Sequence, residues 1–538
     1  MRLPLRAPSA VDEGVGIARN PADAPLPLSE LARAAREPDA TFIQPPWPHT
    51  TAQQSGRALM LAAFLIGALL RLPLIFGQQG ILNSDEAFTG LIARELSDGR
   101  LYWIFPAQAY QGTLEAFVAA AVTPLFGPSA PLLKLVSAAF WLASALLLDL
   151  AARRISGSRP GVVFTLVWLW SSSMVLLSAT SLVGYGSGLL FCSLGYWAWS
   201  RAESSHPTWL WMVIAGIGFG AATWQQPTFL PTAVIFGLGT LLVPGLRAVR
   251  CLAALAGGML VGVSPLIAFN AANRWIGLES PPQPDYTFFD RVRLTLTDLL
   301  PRSVGARLRN GEWTLGAAVA AITIAAMVVA FVWVAVHMWH QRPLMRPLIL
   351  LAAINVPAVA AFSTSWYTVD ARYAVSFVPV LAIIVGTAMS LLAQRFGARI
   401  VAPTLTGLAI VGLVVPLYRE GSFAAGTPNK DVGVLVDQIR STGFHCAVGD
   451  YWSTHRVDYL ADGEFHASAA PPYPVRLPRL YEQIIDEPGR YVLLAPVGSA
   501  LDQQYTADAG EDWQRSEVAG TAVFSPVAPA PPSPDGLC

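Results

Sequence analysis

The chain has 538 residues and a formal net charge of zero; 54% of its residues are hydrophobic and 13% are charged. The charged fraction is about half that of soluble domains, and repeated apolar runs of roughly 18 residues or more indicate a polytopic membrane protein. A neutral chain offers no electrostatic footprint for nucleic acid, so we expect no nucleic-acid partner.

The first 56 residues are polar and rich in proline and alanine, with scattered arginine. No apolar core follows a basic start, so the segment lacks the pattern of a secretory signal, and we predict a disordered cytoplasmic tail at 1–56. An apolar run at 58–76 is the predicted first span, and it opens a transmembrane module at 57–420.

Directly after this span comes the stretch GILNSDEAFTGLIARELSDG, residues 80–99. Asn83 followed three residues later by Glu86 is typical of a capping box, apolar residues then recur at helical spacing, and Gly99 is a helix stop. We predict a short amphipathic helix lying at the membrane surface. Asp85 and Glu86 stand at its start, where acids favour the helix dipole; from this stretch alone, that role and a catalytic carboxylate stay equally open.

A second apolar piece at 113–126 is broken by Pro124 and ends at Gly127. About fourteen residues are too few to cross a bilayer, so we predict a surface or re-entrant helix on the same side as Asp85, within a first outer loop at 78–130. This choice places the arginine-rich loops in the cytoplasm with the N-terminus, whereas counting 113–126 as a span would invert every later loop.

Later apolar runs predict spans at 130–151, 161–180, 187–200, 209–224, 228–243, 251–270, 313–338, 347–362, 373–393 and 400–417. With the first, this makes about eleven transmembrane helices. A long outer loop at 271–312 carries an amphipathic stretch, with Phe288 and Phe289 among Asp290, Arg291 and Arg293. It is either an interfacial helix with snorkelling arginines or a phosphate-binding wall, and the interfacial role is the simpler one for any individual arginine.

The chain changes character after Tyr418. HCAVGDYW is typical of a strand, RLYEQIIDE of a helix and RYVLLAP of a buried strand, which predicts a small periplasmic α/β domain at 421–525. The final residues, 526–538, are proline-rich and are predicted to be disordered. Cys446 and Cys538 can pair only if this domain is extracytoplasmic, and the sequence leaves their proximity open.

Motifs of the common soluble enzymes do not account for the chain. It carries no P-loop, GxGxxG, HExxH or GxSxG in a convincing context, which argues against an ATP-driven transporter and the common hydrolases. The spans contain few ionisable residues, whereas transporters place charges at mid-membrane depth. Polar residues gather instead at one membrane face, in the first outer loop, the 271–312 loop and the segment 366–373.

Several short motifs follow one another along this face: SDEA at 84–87, YQGTLE at 110–115, LFGPS at 125–129 and DARYAVSFVP at 370–379. Together they resemble the GT-C superfamily of lipid-linked-sugar glycosyltransferases, and most nearly the glycosyltransferase family 39 and aminoarabinose-transferase-like group. The segment GDYWSTHRVDYLADGE, residues 449–464, is similar to the start of the soluble tail in some bacterial members. The resemblance covers residues 57–463 in organisation.

The resemblance implies a mainly α polytopic fold with juxtamembrane helices on the periplasmic side. It also implies that Asp85 is the catalytic base and that Arg372 meets the lipid phosphate. The other residues expected to contact the substrate are Glu86, Tyr110, Glu115 and Tyr373. Some relatives carry a second acid in the outer turn after the third helix, where it binds metal; here that turn reads TSLVGYG, so we expect no metal ligand and no cofactor.

We therefore predict an inverting glycosyltransferase of the bacterial inner membrane, which moves a sugar from polyprenyl phosphate to an acceptor hydroxyl on the periplasmic face. The donor's lipid tail lies in the bilayer, an arginine can grip two oxygens of its phosphate, and a carboxylate takes the proton of the attacking hydroxyl. Whether the acceptor is a glycan, a lipid or a protein stays open. The alternatives are a flippase or transporter of lipid-linked sugars, and a membrane scaffold whose soluble tail is the functional part.

Overall fold

The computed structural model describes residues 49–77, 80–106, 108–157, 172–278, 286–362, 370–397, 412–424, 428–486, 489–527 and 538. Contacts divide the chain into two units, Met1–Gly56 and Arg57–Cys538. The predicted N-terminal tail lies outside the described residues up to position 48, as do parts of two predicted spans, at 161–171 and 400–411, and most of the predicted C-terminal tail. The second unit is mainly helical with a small C-terminal β sheet.

Helices occupy the predicted apolar runs wherever these runs are described. In chain order they are α1 (His49–Phe76), α2 (Ser84–Ser97), α3 (Leu114–Phe126), α4 (Ala130–Ser156), α5 (Ser172–Ser178), α6 (Tyr185–Ala202), α7 (Thr208–Gln225), α8 (Leu230–Gly239), α9 (Val249–Ala272), α10 (Phe288–Leu294), α11 (Leu300–Ser303), α12 (Ala317–Gln341), α13 (Arg346–Phe362), α14 (Val378–Phe396) and α15 (412–419). Short 3₁₀ turns flank α8 and precede α13 and α14, and a π-helical turn, Thr295–Leu299, joins α10 to α11.

Four of the described helices are long and apolar enough to cross a membrane: Ala130–Ser156, Val249–Ala272, Ala317–Gln341 and Pro343–Ala361. The chain is therefore a membrane protein by the length and composition of its helices. The helix α3 has 13 residues, as the short-helix prediction for 113–126 requires. The total of about eleven spans stays a prediction.

Glycines spaced four residues apart let two neighbouring helices approach closely. Gly216 and Gly220 lie on α7, and Gly258 and Gly262 lie on α9. A Cβ atom at Gly216 would lie 2.1 Å from the carbonyl oxygen of Leu255, and one at Gly258 would be equally obstructed, 2.3 Å from a carbonyl of α7. Backbones packed this closely gain van der Waals contact where lipid gives no hydrophobic driving force.

The C-terminal part folds as a five-stranded mixed sheet flanked by helices. Its strands are β1 (Cys446–Gly449), β2 (His466–Ala469), β3 (Tyr491–Pro496), β4 (Trp513–Val518) and β5 (Thr521–Pro526), in the order β2-β1-β3-β5-β4. The first three strands are parallel, and β5 runs antiparallel to β3 and β4. The helices are α16 (Lys430–Ser441), α17 (Tyr451–Leu460), α18 (Pro478–Ile485) and α19 (Ala500–Asp508).

The predicted strand at HCAVGDYW, the helix at RLYEQIIDE and the strand at RYVLLAP are confirmed, as β1, α18 and β3. The sequence pattern did not show that β1 ends at Gly449 and that Asp450 then caps a new helix, α17, by accepting hydrogen bonds from the backbone of Trp452 and Ser453. A disulfide joins Cys446 to Cys538, with the Cα atoms 5.2 Å apart. The pairing that the sequence left open therefore occurs in the structure.

This C-terminal domain lies directly against α2. Tyr459 of α17 packs into the apolar cluster that α2 forms with α3 and α4. Its ring is so close to Gly90 that a Cβ atom there would lie 2.2 Å from Cε2 of the tyrosine. The helix predicted to lie at the membrane surface is thus also the surface on which the C-terminal domain docks.

Candidate active site

The two acids at the start of α2 are held by the predicted capping box. The Asn83 side chain accepts a hydrogen bond from the Glu86 backbone at 2.9 Å, and Glu86 Oε2 accepts one from the Asn83 backbone at 3.0 Å. This reciprocal pair fixes the first turn of the helix. It directs the side chains of Asp85 and Glu86 to different surroundings.

Glu86 points into the protein, where its side chain is 1% exposed. Its Oε1 lies 2.6 Å from Lys134 Nζ on α4, itself 2% exposed, and accepts a hydrogen bond from the Ser181 backbone at 2.8 Å. Together with Asn83, these donors occupy both oxygens of the carboxylate. The contacts tie α2 to α4 and to the turn before α6.

Asp85 has a side chain that is 31% exposed, and it faces the C-terminal domain. The Tyr451 hydroxyl donates a hydrogen bond to Asp85 Oδ1 at 2.5 Å, and Arg476 Nη2 lies 3.2 Å from the same oxygen. Oδ2 takes part in neither of these two bonds. Asp85 therefore combines one anchored oxygen with partial access to solvent.

Arg476 is held in an aromatic cage. Its guanidinium carbon lies 5.1 Å from the centre of the Tyr451 ring and 5.5 Å from the rings of Phe88 and Phe105. These distances are those of cation–π contacts. The side chain is 9% exposed, and the Gln108 amide oxygen accepts from Nη1 at 2.9 Å in the orientation that satisfies both amide groups.

Two further side chains of this interface, His455 and Tyr451, are buried. Burial, followed by the positive charge of Arg476, lowers the pKa of His455 to about 3, so this ring is neutral at ordinary pH. Neither of its ring nitrogens meets a hydrogen-bond partner among the described residues. Burial, followed by the charge of Asp85, raises the pKa of Tyr451 above its ordinary value, so its hydroxyl is a donor.

Other contacts dock the domain without touching Asp85. Arg94 Nη2 on α2 lies 2.6 Å from Oδ1 of Asp458, a fully buried carboxylate. The Ser84 hydroxyl donates to the Trp452 carbonyl at 2.8 Å. The Tyr459 hydroxyl donates to the Ser129 carbonyl at 3.3 Å.

Glu115 lies in a separate buried pocket at the start of α3. Its Oε1 accepts hydrogen bonds from Ser187, from the backbone at 2.9 Å and from the hydroxyl at 3.2 Å. Burial raises the pKa of Glu115 to about 7, against the opposing effect of these bonds. The Ser187 hydroxyl also reaches Gln225 Oε1 at 3.0 Å, which links α3, α6 and α7.

Arg372 lies in a 3₁₀ turn, Ala371–Ala374, just before α14. Its Nε is 2.8 Å from Asp370 Oδ2, and its guanidinium lies 5.3 Å from the Tyr373 ring centre. Burial disfavours its charge, but neighbouring groups that include Tyr185, Asp370 and Asp85 raise the pKa of Arg372 above its ordinary value. The Tyr185 and Tyr373 rings meet edge to face at 6.4 Å.

Asp85 is thus one of the charges that act on the pKa of Arg372, and Tyr373 lies against the Arg372 guanidinium. Tyr110 is 40% exposed, whereas Glu86 and Glu115 are enclosed in separate buried networks. Sequence reasoning missed Tyr451 and Arg476, which are 366 and 391 residues away from Asp85. The motif GDYWSTHR contains Tyr451 but gave no sign of its partner.

No protein-family model and no curated protein sequence matches the chain. Among solved structures, it is similar to ArnT from Cupriavidus metallidurans bound to undecaprenyl phosphate, with 13% identity and a TM-score of 0.60 over 88% of this chain and 99% of that one. ArnT in the apo state gives 15% identity and a TM-score of 0.59 over 88% and 98%. The Archaeoglobus fulgidus oligosaccharyltransferase tethered to an acceptor peptide shares 14% identity with this chain. Its TM-score is 0.51, over 88% of this chain and 74% of that one.

These structural neighbours belong to the GT-C superfamily, so the predicted resemblance is confirmed at the level of the fold. At such low sequence identity the likeness concerns the fold.

Proposed function

We propose that the protein is a membrane glycosyltransferase that takes a sugar from a polyprenyl-phosphate carrier and uses Asp85 as its general base. The observation that carries this proposal is the carboxylate of Asp85, partly exposed and anchored through one oxygen, in a fold shared with an enzyme crystallised with undecaprenyl phosphate. A base must reach the proton that it takes, and its second oxygen supplies that reach.

The reaction that we infer is a single displacement. The acceptor hydroxyl attacks the anomeric carbon while Asp85 takes its proton; the new bond from the acceptor oxygen to the sugar forms as the bond from the sugar to the phosphate oxygen breaks. Polyprenyl phosphate leaves with the electron pair, and Asp85 later returns its proton to water. One attack from the face opposite the leaving group inverts the anomeric configuration.

Arg372 is the proposed ligand of the donor phosphate. A guanidinium can pair with two phosphate oxygens and stabilise the charge that grows on the leaving group. Tyr373, which lies under this guanidinium, and the exposed Tyr110 are proposed to contact the donor. For Glu86 and Glu115 the enclosed networks support a role in positioning the helices near Asp85 in place of direct substrate contact.

We propose that the protein lies in a bacterial inner membrane, with about eleven spans, its N-terminus in the cytoplasm and the domain at 421–525 in the periplasm. The disulfide between Cys446 and Cys538 supports an oxidising compartment for that domain. Since the domain touches Asp85, the same compartment contains the proposed chemistry.

The proposal is tested with purified protein in lipid, a panel of radiolabelled polyprenyl-phosphate sugars and membrane extract as the acceptor. We expect one donor to pass its label to an acceptor and to release polyprenyl phosphate in equal amount. Saturable binding of a labelled donor, with movement across the bilayer and no release of polyprenyl phosphate, would contradict a transferase and favour a flippase.

A further inference from the structure

We propose that the C-terminal domain completes the catalytic centre, and that Tyr451 and Arg476 are positioning residues that aim the carboxylate of Asp85 at the acceptor. This inference rests on the proposed function, because it assigns a role to the residues around its base. It concerns a domain that would otherwise be regarded as an appendage of the membrane module.

Two side chains of the C-terminal domain converge on one oxygen of Asp85. A phenol from the start of α17 and a guanidinium from the loop before α18 reach the same oxygen of Asp85, at 2.5 and 3.2 Å. Two donors from different segments fix the plane of a carboxylate more firmly than one. With Oδ1 held from the side of the domain, Oδ2 is the oxygen left to take a proton.

Arg476 has little freedom to act elsewhere. Three aromatic rings surround its guanidinium, and the Gln108 amide holds Nη1. With 9% of its side chain exposed, it is poorly placed to follow a mobile lipid phosphate. A pre-organised group of this kind supports a functional residue whose geometry has to be accurate.

The C-terminal domain is also held in place by contacts that are separate from its bonds to Asp85. The Arg94–Asp458 ion pair, the bond from Ser84 to Trp452 and the contact of Tyr459 with Gly90 all join the domain to α2 or its first turn. None of them involves the Asp85 carboxylate. The bonds to Asp85 are therefore additional to those that hold the domain in place.

The test compares Tyr451→Phe with Tyr459→Phe. Each variant removes one hydroxyl from the same helix and the same interface, but only the first hydroxyl bonds to Asp85; the second bonds to the Ser129 carbonyl. We expect Tyr451→Phe to lower kcat by roughly tenfold to a hundredfold, the effect of one hydrogen bond to a charged group, with the KM for the donor unchanged. Tyr459→Phe is expected to keep the wild-type kcat.

Arg476→Gln is expected to lower kcat at least as much as Tyr451→Phe, and Arg476→Lys to restore part of the loss. Wild-type kcat in either Tyr451→Phe or Arg476→Gln would overturn the inference. So would a raised donor KM at unchanged kcat, since it indicates a ligand of the donor. If Asp85→Asn is inactive while Tyr451→Phe is fully active, only this inference fails; full activity of Asp85→Asn overturns the proposed base and this inference together.

Discussion

Replacing Lys134 by methionine is expected to destabilise the protein, because the Glu86 carboxylate then stays buried without its partner charge. Lys134 and Glu86 form an ion pair at 2.6 Å in which both side chains are almost fully buried. Breaking such a pair from one side costs about 3–5 kcal/mol, because the remaining charge keeps its desolvation penalty. Glu86 retains two backbone donors, from Asn83 and Ser181, so we expect the lower end, about 3 kcal/mol.

A matched control uses Glu95, which lies on the same helix as Glu86, and its partner Arg100, which follows the end of that helix. Arg100 and Glu95 also pair at 2.6 Å, but their side chains are 52% and 17% exposed. Exposed pairs contribute about 0–1 kcal/mol, so Arg100→Met is expected to change stability by no more than this. The two variants thus share the geometry of the lost bond and differ in burial.

The assay is the free energy of unfolding, from denaturant titration in detergent micelles, for both variants and for Glu86→Gln combined with Lys134→Met. The double variant removes both charges, so it is expected to be more stable than Lys134→Met alone. Equal losses for Lys134→Met and Arg100→Met, or a double variant less stable than Lys134→Met, would refute the account of a buried pair.

Three further predictions concern other parts of the molecule. Because burial raises the pKa of Glu115 to about 7, the stability that this group contributes is present below pH 4.5 and lost as the pH rises through 7. The free energy of unfolding of Glu115→Gln, relative to wild type, should therefore be about 2–3 kcal/mol higher at pH 8 than at pH 5. An equal difference from wild type at both pH values would contradict this. Arg94→Gln leaves the buried Asp458 carboxylate without its 2.6 Å partner, so limited proteolysis should release the C-terminal domain faster than from wild type, and an unchanged rate would contradict this. Reducing the Cys446–Cys538 bond, which closes a sequence separation of 92 residues, should lower the free energy of unfolding by about 4 kcal/mol, whereas an unchanged unfolding midpoint under reductant would oppose it.

The features that the sequence predicted are local ones. The capping box of Asn83 and Glu86 follows from two residues at a fixed spacing, and the end of α3 follows from Gly127. The predicted break at Pro124 is wrong, because the helix continues through this residue to Phe126. In the C-terminal domain, the helix α18 and the strands β1 and β3 also follow from patterns of fewer than ten residues. Each of these features depends on the local conformation of the chain, which residues close together in the sequence determine.

The features that the sequence did not predict depend on distant contacts. Nothing in the spacing around Asp85 indicates that Tyr451 will donate to it from 366 positions away. The ion pair of Glu86 with Lys134 likewise joins residues of two different helices, 48 positions apart in the sequence. For the same reason the proximity of Cys446 and Cys538 stayed open until the sheet placed them together.

The most direct test of the central claim is single-turnover transfer from the identified donor by wild type, Asp85→Asn and Asp98→Asn. Asp98 is an exposed acid at the other end of the same helix, so its variant controls for the loss of a negative charge on α2. We expect Asp85→Asn to bind the donor and transfer no sugar, and Asp98→Asn to match wild type. Wild-type transfer by Asp85→Asn would show that Asp85 is not the base and would leave it the role of a helix-start acid.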